Sequence, residues 1–253
     1  MRLMTFNLRF ATAIDGPNEW QFRKELVAAV ILNHRPDLLG TQEGTVPQLR
    51  YLEKHLSGYL PLTAHRQVDP TCQYPTIFYR AEGFQVKESN EFWLSETPQA
   101  HRSLSWDSAF PRMVTYGLFR EADRDLDFYF LNTHLDHISD AARREGARMI
   151  REFFFPLNRP LILAGDFNEP PDGAVHRQLV QGDSPLRDTW REVHPPAEEA
   201  ATQHGFDGRP RGSRIDWILA TPPFRVRRAK IIADNRNGRY PSDHFPYEAE
   251  VEY

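Results

Sequence analysis

The stretch LILAGDFNEP, Leu161 to Pro170, decides how the chain is read. Four apolar residues run into Gly165, and a carboxylate (Asp166) and an amide (Asn168) then appear two positions apart. A short apolar run closed by turn residues reads as a buried strand, and Pro170–Pro171 ends regular structure. Asp and Asn suit turns in any protein, so the stretch alone leaves an ordinary strand–turn junction open. Its weight comes from recurrence. Asn7 interrupts LMTFNLRF, Glu43 ends LLGTQEG, and His134 closes FYFLNTHLDH. Asp216 opens RIDWIL, and Asp243 and His244 sit in GRYPSDHFPY.

Each of these residues has a structural explanation when taken singly. Asn7 can bond a strand end, Glu43 can bond the helix after Thr45, and Asp216 can pair with Arg214. His134 can be a satisfied structural histidine, and Asp243–His244 can be turn chemistry after Pro241. Jointly, a glutamate, three aspartates, two asparagines and two histidines at strand ends ask for another reason. A magnesium-type ion takes oxygen ligands and often only one or two protein carboxylates beside a substrate phosphate. Phosphoester hydrolysis needs an oriented water, neutralised phosphoryl oxygens and help for the leaving oxygen. Carboxylates, amides and carboxylate-supported imidazoles supply those functions.

The rest of the chain is consistent with a soluble α/β protein. Its 253 residues suffice for a sizeable core, and the absence of repeats or Gly/Ser linkers predicts one domain over 1–253. Strands are expected at 3–9, 38–42, 76–79, 84–93, 113–119, 126–133, 161–164, 214–219, 226–232 and 247–251. Helices are expected at 19–33, with Phe22, Leu26, Val30 and Val27 on one face, and at 46–56. The second follows Thr45, with Gln48 three residues on as a capping box. A third, 139–155, places Ala142, Gly146, Met149, Ile150 and Phe153 along one side. Strands that often adjoin without a helix between them predict mixed sheets packed in an α/β sandwich.

A net charge of −4 argues against gripping long nucleic acid by bulk electrostatics. Residues 201–245 carry nine Lys or Arg against four Asp or Glu, a local excess that suits a phosphate-bearing ligand or a solvated arginine face. The single cysteine, Cys72, excludes an internal disulfide framework. No apolar run is long enough for a membrane span, and the N-terminus has no signal-type core, so a cytoplasmic protein is expected.

Together TFN, QE, NTHLDH, GDFN, RIDWIL and SDHFP resemble the endonuclease/exonuclease/phosphatase superfamily, in order and spacing, from Leu3 to Val251. That group includes deoxyribonuclease I, abasic-site endonucleases, deadenylases, neutral sphingomyelinases and inositol-polyphosphate phosphatases. Segments such as FWLSETP and WDSAFPR look most like a little-characterised bacterial branch. The resemblance implies a four-layer αββα sandwich of two packed mixed sheets, like deoxyribonuclease I, and a Mg2+ or Mn2+ cofactor. It implies Glu43 as the principal metal ligand, Asn7 beside it on metal-bound water or phosphate, and Asp243 toward the metal region. Asp166 would orient or deprotonate the attacking water, Asn168 would steady the phosphoryl group, and Asp216 would pair with His244. His134 would be an acid or a phosphate contact, and Arg112 would bind phosphate. One departure stands out: Gln73 occupies a position where relatives of this branch tend to carry a glutamate supporting the histidine at His134. A neutral amide cannot stabilise an imidazolium as a carboxylate does.

The leading expectation is a phosphodiesterase acting on a nucleic acid or nucleotide. Trp93, Trp106, His204 and Phe206 are candidate stacking or contact residues, and His137 a further candidate facing the site. Alternatives are a sphingomyelinase-type phospholipase, for which REFFFPLNRP is the nearest membrane-reaching segment, a sugar- or inositol-phosphate phosphatase, and a non-catalytic phosphate-binding module. A monomer without protein partners is expected. His55, His65, His101, His176, His194 and Cys72 are expected to stand outside the chemistry.

Overall fold

The computed structural model describes residues 1–63, 66–122, 124–195 and 200–253, so His65 lies outside the described residues. In chain order the first half contains β1 (Arg2–Asn7), α1 (Trp20–His34), β2 (Leu38–Gly44), α2 (Val46–His55), β3 (Tyr59–Pro61) and β4 (Tyr74–Arg80). Next come β5 (Phe84–Trp93), β6 (Met113–Glu121), β7 (Asp127–His134), α3 (Asp140–Phe154) and β8 (Leu161–Asp166). The chain closes with α4 (Ala174–Val180), β9 (Arg187–Asp188), β10 (Asp216–Ala220), β11 (Arg225–Ile231) and β12 (Tyr247–Glu252).

The strands form two six-stranded sheets, ordered β11–β12–β1–β2–β4–β3 and β5–β6–β7–β8–β10–β9. Each sheet has one parallel pair, β1–β2 in the first and β7–β8 in the second, and antiparallel neighbours outside it. A parallel pair needs a crossover, which α1 and α3 supply. Side-chain alternation then builds three cores. In β1, Leu3 enters the core between the sheets, whereas Met4 and Phe6 face the core under α1 and α2. In β8, Ile162 and Ala164 point between the sheets, and Leu161 and Leu163 point toward α3 and α4. Three cores make four layers, the αββα sandwich with two packed mixed sheets that the resemblance implies.

The Thr45–Gln48 capping box forms, with the Gln48 side chain accepting from the Thr45 backbone N–H at 3.1 Å. Ser139 caps α3 by accepting from the Ala142 N–H at 3.1 Å. Two helical faces differ from the expectation. Phe22 is 58% exposed, and the buried stripe of α1 is Arg23, Val27, Val30 and Ile31. Arg23 takes the inward position because backbone carbonyls, rather than an apolar neighbour, receive its side chain. On α3, Phe154 is buried and Phe153 is 47% exposed, its ring stacked 5.2 Å from Phe92. REFFFPLNRP therefore ends a helix packed on the second sheet. Trp93 also belongs to a core, which removes it as a stacking platform.

Candidate active site

The alternation that sends Ile162 and Ala164 inward also sends Asp166 inward, at the carboxyl end of β8. The same parity places Asn7 beyond Leu3 on β1 and puts Asp216 with Ile218 on β10. Sheet register completes the gathering, for Asp166 lies opposite Asp216 on one side and His134 on the other. The carboxyl ends of the parallel strands thus meet at one edge of the sandwich, where ligands of α/β sheets bind. Glu43 reaches this edge by another route. Simple alternation would turn it away from the side of Gln42, but the β2–β4 register shifts between Thr41 and Gly44 and Glu43 adopts φ 59°. The bulge re-aims the side chain.

The polar set is interlocked. Asn7 Nδ2 donates to Asp166 Oδ2 at 2.9 Å and to Glu43 Oε1 at 3.2 Å, so one amide spans two carboxylates. Glu43 Oε2 accepts from the Phe10 N–H, and Asp166 Oδ1 accepts from the Asn168 N–H, both at 2.9 Å. Asp216 Oδ2 is 2.9 Å from His244 Nδ1, which leaves Nε2 of that ring for a ligand. Asp166, Asp216 and His244 present donor atoms within 4.8 Å of one another. Asp216 Oδ1 is buried and has no hydrogen-bond partner. A buried carboxylate oxygen left unpaired is costly unless a cation or water meets it, so the carboxylates gathered here, Glu43, Asp166 and Asp216, fit a hard, oxygen-seeking ion.

Electrostatics separate the two histidines. Burial by itself would lower the pKa of His244, but Asp216, Asp166 and Asp243 outweigh it and raise the value to about 10. Burial and the charge of Asp216 raise Asp166 to about 7. His134 moves the other way, well below its ordinary value, because of burial and then the positive charge of Arg112. Its Nε2 faces the Asn168 amide Nδ2 at 3.0 Å, the arrangement of a neutral imidazole accepting a hydrogen bond. Gln73 lines the pocket beside His134, with no carboxylate in its place to restore a charge.

That pocket, of about 70 Å³, opens from Glu43 and His134 past Gln73, Arg112 and Phe110 to Cys72 and Arg102. Arg112 is buried, and its position comes from a residue the sequence reading missed, Asp136. Asp136 Oδ2 accepts from the Ala109 N–H at 3.0 Å and lies 3.4 Å from Arg112 Nε, while its Oδ1 accepts from the N–H groups of Ile138 and Ser139. One carboxylate thereby ties the 108–112 loop to the start of α3. The signal was present in THLDH, where only the histidines attracted interest. His137 Nδ1 lies 3.2 Å from Arg112 Nη2, and its ring is 5.7 Å from Phe110, which is 50% exposed.

One expected residue takes another position. His204 is fully buried, its ring stacked 3.9 Å from Phe245 and its Nδ1 accepting from the Gly208 N–H. It supports the loop bearing His244 and has no surface for a substrate, which corrects its reading as a contact. Asp243 lies outside the three-residue donor group but close enough for its charge to act on His244. Its Oδ2 is 3.9 Å from Arg9 Nε, and its Oδ1 is 3.3 Å from Ser242 Oγ. Phe206 lies beside the Arg23 guanidinium at 5.6 Å. Four of the nine basic residues of 201–245 are ion-paired: Arg211 with Asp207, Arg214 with Asp188, Arg227 with Glu252 and Lys230 with Glu248.

Arg23 connects the parts of the edge. Its Nε donates to Asn18 O, its Nη1 to Leu8 O and Pro241 O, and its Nη2 to Arg9 O. The residues after Asn7 and before His244 are thus held by one guanidinium. Burial lowers its pKa to about 10, so it remains a cation at neutral pH. Ser242 Oγ adds a bond to Asn7 O at 2.7 Å.

Comparison with known proteins agrees with this geometry. The sequence matches the Endonuclease/Exonuclease/phosphatase family over residues 4–244, and the chain belongs to that family, whose members are phosphoesterases. Its structure is similar to a mannosyl-6-phosphatase of Bacteroides thetaiotaomicron, with 32% identity, 100% of both chains covered and a TM-score of 0.90. A functionally unknown conserved protein of Enterococcus faecalis is similar at 33% identity and TM-score 0.89, over 100% of this chain and 99% of that one. TDP2 of D. rerio, complexed with a single strand DNA product, shares the fold at 17% identity and TM-score 0.79, over 100% and 99% of the chains. Carbon catabolite repressor protein 4 homolog 4 of Arabidopsis thaliana is 27% identical over 117 residues, 39% of this chain and 28% of that protein.

Proposed function

We propose that this phosphoesterase is a Mg2+- or Mn2+-dependent phosphatase that releases phosphate from a small sugar phosphate. The observation that carries the reading is the compact pocket running directly off Glu43 and His134 and lined by Arg112, Gln73 and Phe110. A small polar ring carried on a phosphate at Glu43 would border this pocket. Amide and guanidinium groups suit hydroxyls and phosphoryl oxygens, and an aromatic face suits the ring's C–H surface. The similarity to a mannosyl-6-phosphatase at 32% identity supports the same choice.

In this reading Glu43, with Asn7 beside it, holds the cation. The ion supplies Lewis-acid polarisation of the phosphoryl oxygen. Asp166, raised to about 7, is the base that receives a proton from the attacking water, steadied by Asn7 and the Asn168 N–H. Cationic His244, oriented by Asp216, turns its Nε2–H toward the phosphoryl group and stabilises charge as it develops. Arg112 neutralises a phosphoryl oxygen, neutral His134 contributes hydrogen bonding rather than a proton, and the departing sugar oxygen takes its proton from solvent water.

Cleavage of a nucleotide diester is the second reading, favoured by the exposed ring of Phe110 stacked on His137, a face on which a base can rest. The net charge of −4 argues against gripping a long strand. The test is product analysis with hexose 6-phosphates, mannose 6-phosphate included, beside a nucleotide diester and bis(p-nitrophenyl) phosphate, each with Mg2+ or Mn2+. Free phosphate from a hexose phosphate, abolished by chelation, is expected. Faster turnover of a diester than of every monoester would transfer the assignment to the second reading.

A further inference from the structure

Two loops at the far wall of the pocket bring together a second set of donors, chemically unlike the first. Asp69 and Cys72 lie on one loop and His101 on another, and their donor atoms fall within 4.8 Å of one another. His101 Nε2 is 3.2 Å from Asp69 Oδ2. The arrangement is held from outside. Asp69 N–H donates to the Tyr74 hydroxyl at 2.7 Å, Cys72 N–H to Asp69 O at 3.1 Å, and the His101 ring stands edge-on to Trp93 at 5.5 Å. Cys72 is buried, while Asp69 and His101 are partly open to solvent.

We propose that Asp69, Cys72 and His101 form an accessory site for a thiophilic divalent cation of the Zn2+ type. The inference does not depend on the phosphatase reading. Mixed thiolate, imidazole and carboxylate donors select borderline metals, whereas the Glu43–Asp166–Asp216 set, rich in carboxylate oxygen, selects hard ones. A tetrahedral ion with bonds of about 2.0–2.3 Å needs its donors roughly 3.3–3.8 Å apart; His101 and Asp69 already stand 3.2 Å apart, and the Cys72 sulfur lies within 4.8 Å of both. Three protein donors leave one vertex open to water. Arg102 now occupies the cationic position, its Nη1 3.3 Å from Asp69 Oδ2 and 2.6 Å from Thr71 Oγ1. Its side chain is exposed and can swing aside. The thiol must ionise, which burial and then the charge of Asp69 oppose in the metal-free protein, and coordination to a metal reverses that preference. Because Thr71, Cys72 and Arg102 also wall the pocket, an ion here would join both loops across its outer end.

Cys72 is the only cysteine in the chain, which makes the test specific. The full-length protein, saturated with Mg2+, is titrated with Co2+ and followed for thiolate-to-cobalt charge-transfer absorption in the near ultraviolet, then challenged with Zn2+. One Co2+ per chain is expected, with a band that Zn2+ removes and that is absent in Cys72→Ser. His101→Gln, at a partly exposed position, should weaken binding at least tenfold with an unchanged circular dichroism spectrum. Glu43→Gln should retain the band. No band in the natural protein, unchanged affinity in His101→Gln, or loss of the band in Glu43→Gln would overturn the site.

Discussion

Two histidine–carboxylate pairs lie on opposite faces of β10, and both are buried with a ring nitrogen 2.9 Å from a carboxylate oxygen. Asp216 points between the sheets to His244, and Trp217, the next residue, points outward with its ring edge-on to His176 at 4.9 Å. His176 pairs with Asp188, which also receives Arg214 at 2.6 Å, and the other oxygen of Asp188 accepts from the Trp190 N–H. Every oxygen of Asp188 is therefore occupied. Asp216 has one oxygen unpartnered, and its histidine faces two further carboxylates. The pair alone does not make a reactive centre. What differs is the kind of atom left unpaired: a carboxylate oxygen beside Asp166 in the first pair, and the nitrogens His176 Nδ1 and Arg214 Nη1 in the second.

The largest expected effect falls on the open pair. His244→Ala should lower kcat by about 10²- to 10⁴-fold with little change in fold, measured by phosphate release and circular dichroism. Asp188→Ala should do the reverse. It leaves the buried guanidinium of Arg214 uncompensated and should cost about 3–5 kcal/mol in denaturant unfolding. Turnover per folded molecule should remain within about twofold. Equal loss of activity in both variants would erase the distinction.

Acid and alkaline unfolding separate the pairs again. Burial would raise Asp188, but bonding to His176 and the charge of Arg214 outweigh it and hold its pKa near 2, below the ordinary carboxylate value. Its stabilisation is thus fully present above about pH 4 and is lost as pH falls toward 2, on the order of 2–3 kcal/mol. His244 is raised, so its contribution is full below about pH 6.5 and is lost as pH rises through 10. Stability curves against pH should flatten on the acid side in Asp188→Ala and on the alkaline side in His244→Ala.

Arg23→Met tests whether the open pair depends on its scaffold. Four backbone carbonyls lose a donor, and a drop of about 2 kcal/mol in stability is expected, with kcat falling further than KM rises. The smallest effect should come from Phe110→Ala, which removes an aromatic face worth about 1 kcal/mol. A several-fold rise in KM at unchanged kcat would confine Phe110 to substrate binding.

Much of this contrast could be read before folding. Asp166, Asp216 and Asn7 each stand at the end of a strand whose alternation already states which side they face, whereas His244 lies in the loop before β12. His176 is expected outside the chemistry and is so placed, but its pairing with Asp188 leaves no mark in the sequence, because no strand-length pattern surrounds Asp188 and β9 is only two residues long. The seven-residue α4 is too short for a periodic signal and starts on a contact from outside itself, with the Glu169 carboxylate accepting from the N–H groups of Ala174 and Val175. Phe22 was expected inside because it is apolar, yet Arg23 holds the inner position through bonds to carbonyls distant in sequence.

By itself the sequence determined ten of the twelve strands, two capped helices, a sandwich of mixed sheets and the polar residues that close the strands, since those depend on periods of two and 3.6 and on local capping, while the four layers followed from the family resemblance. Only the tertiary structure decided which carboxylate keeps an open oxygen, which histidine is charged and which stays neutral. It alone turned Glu43 into the site through a bulge and withdrew His204 beneath it. These outcomes depend on burial and on charges brought close from remote positions, and no local pattern along the chain records either.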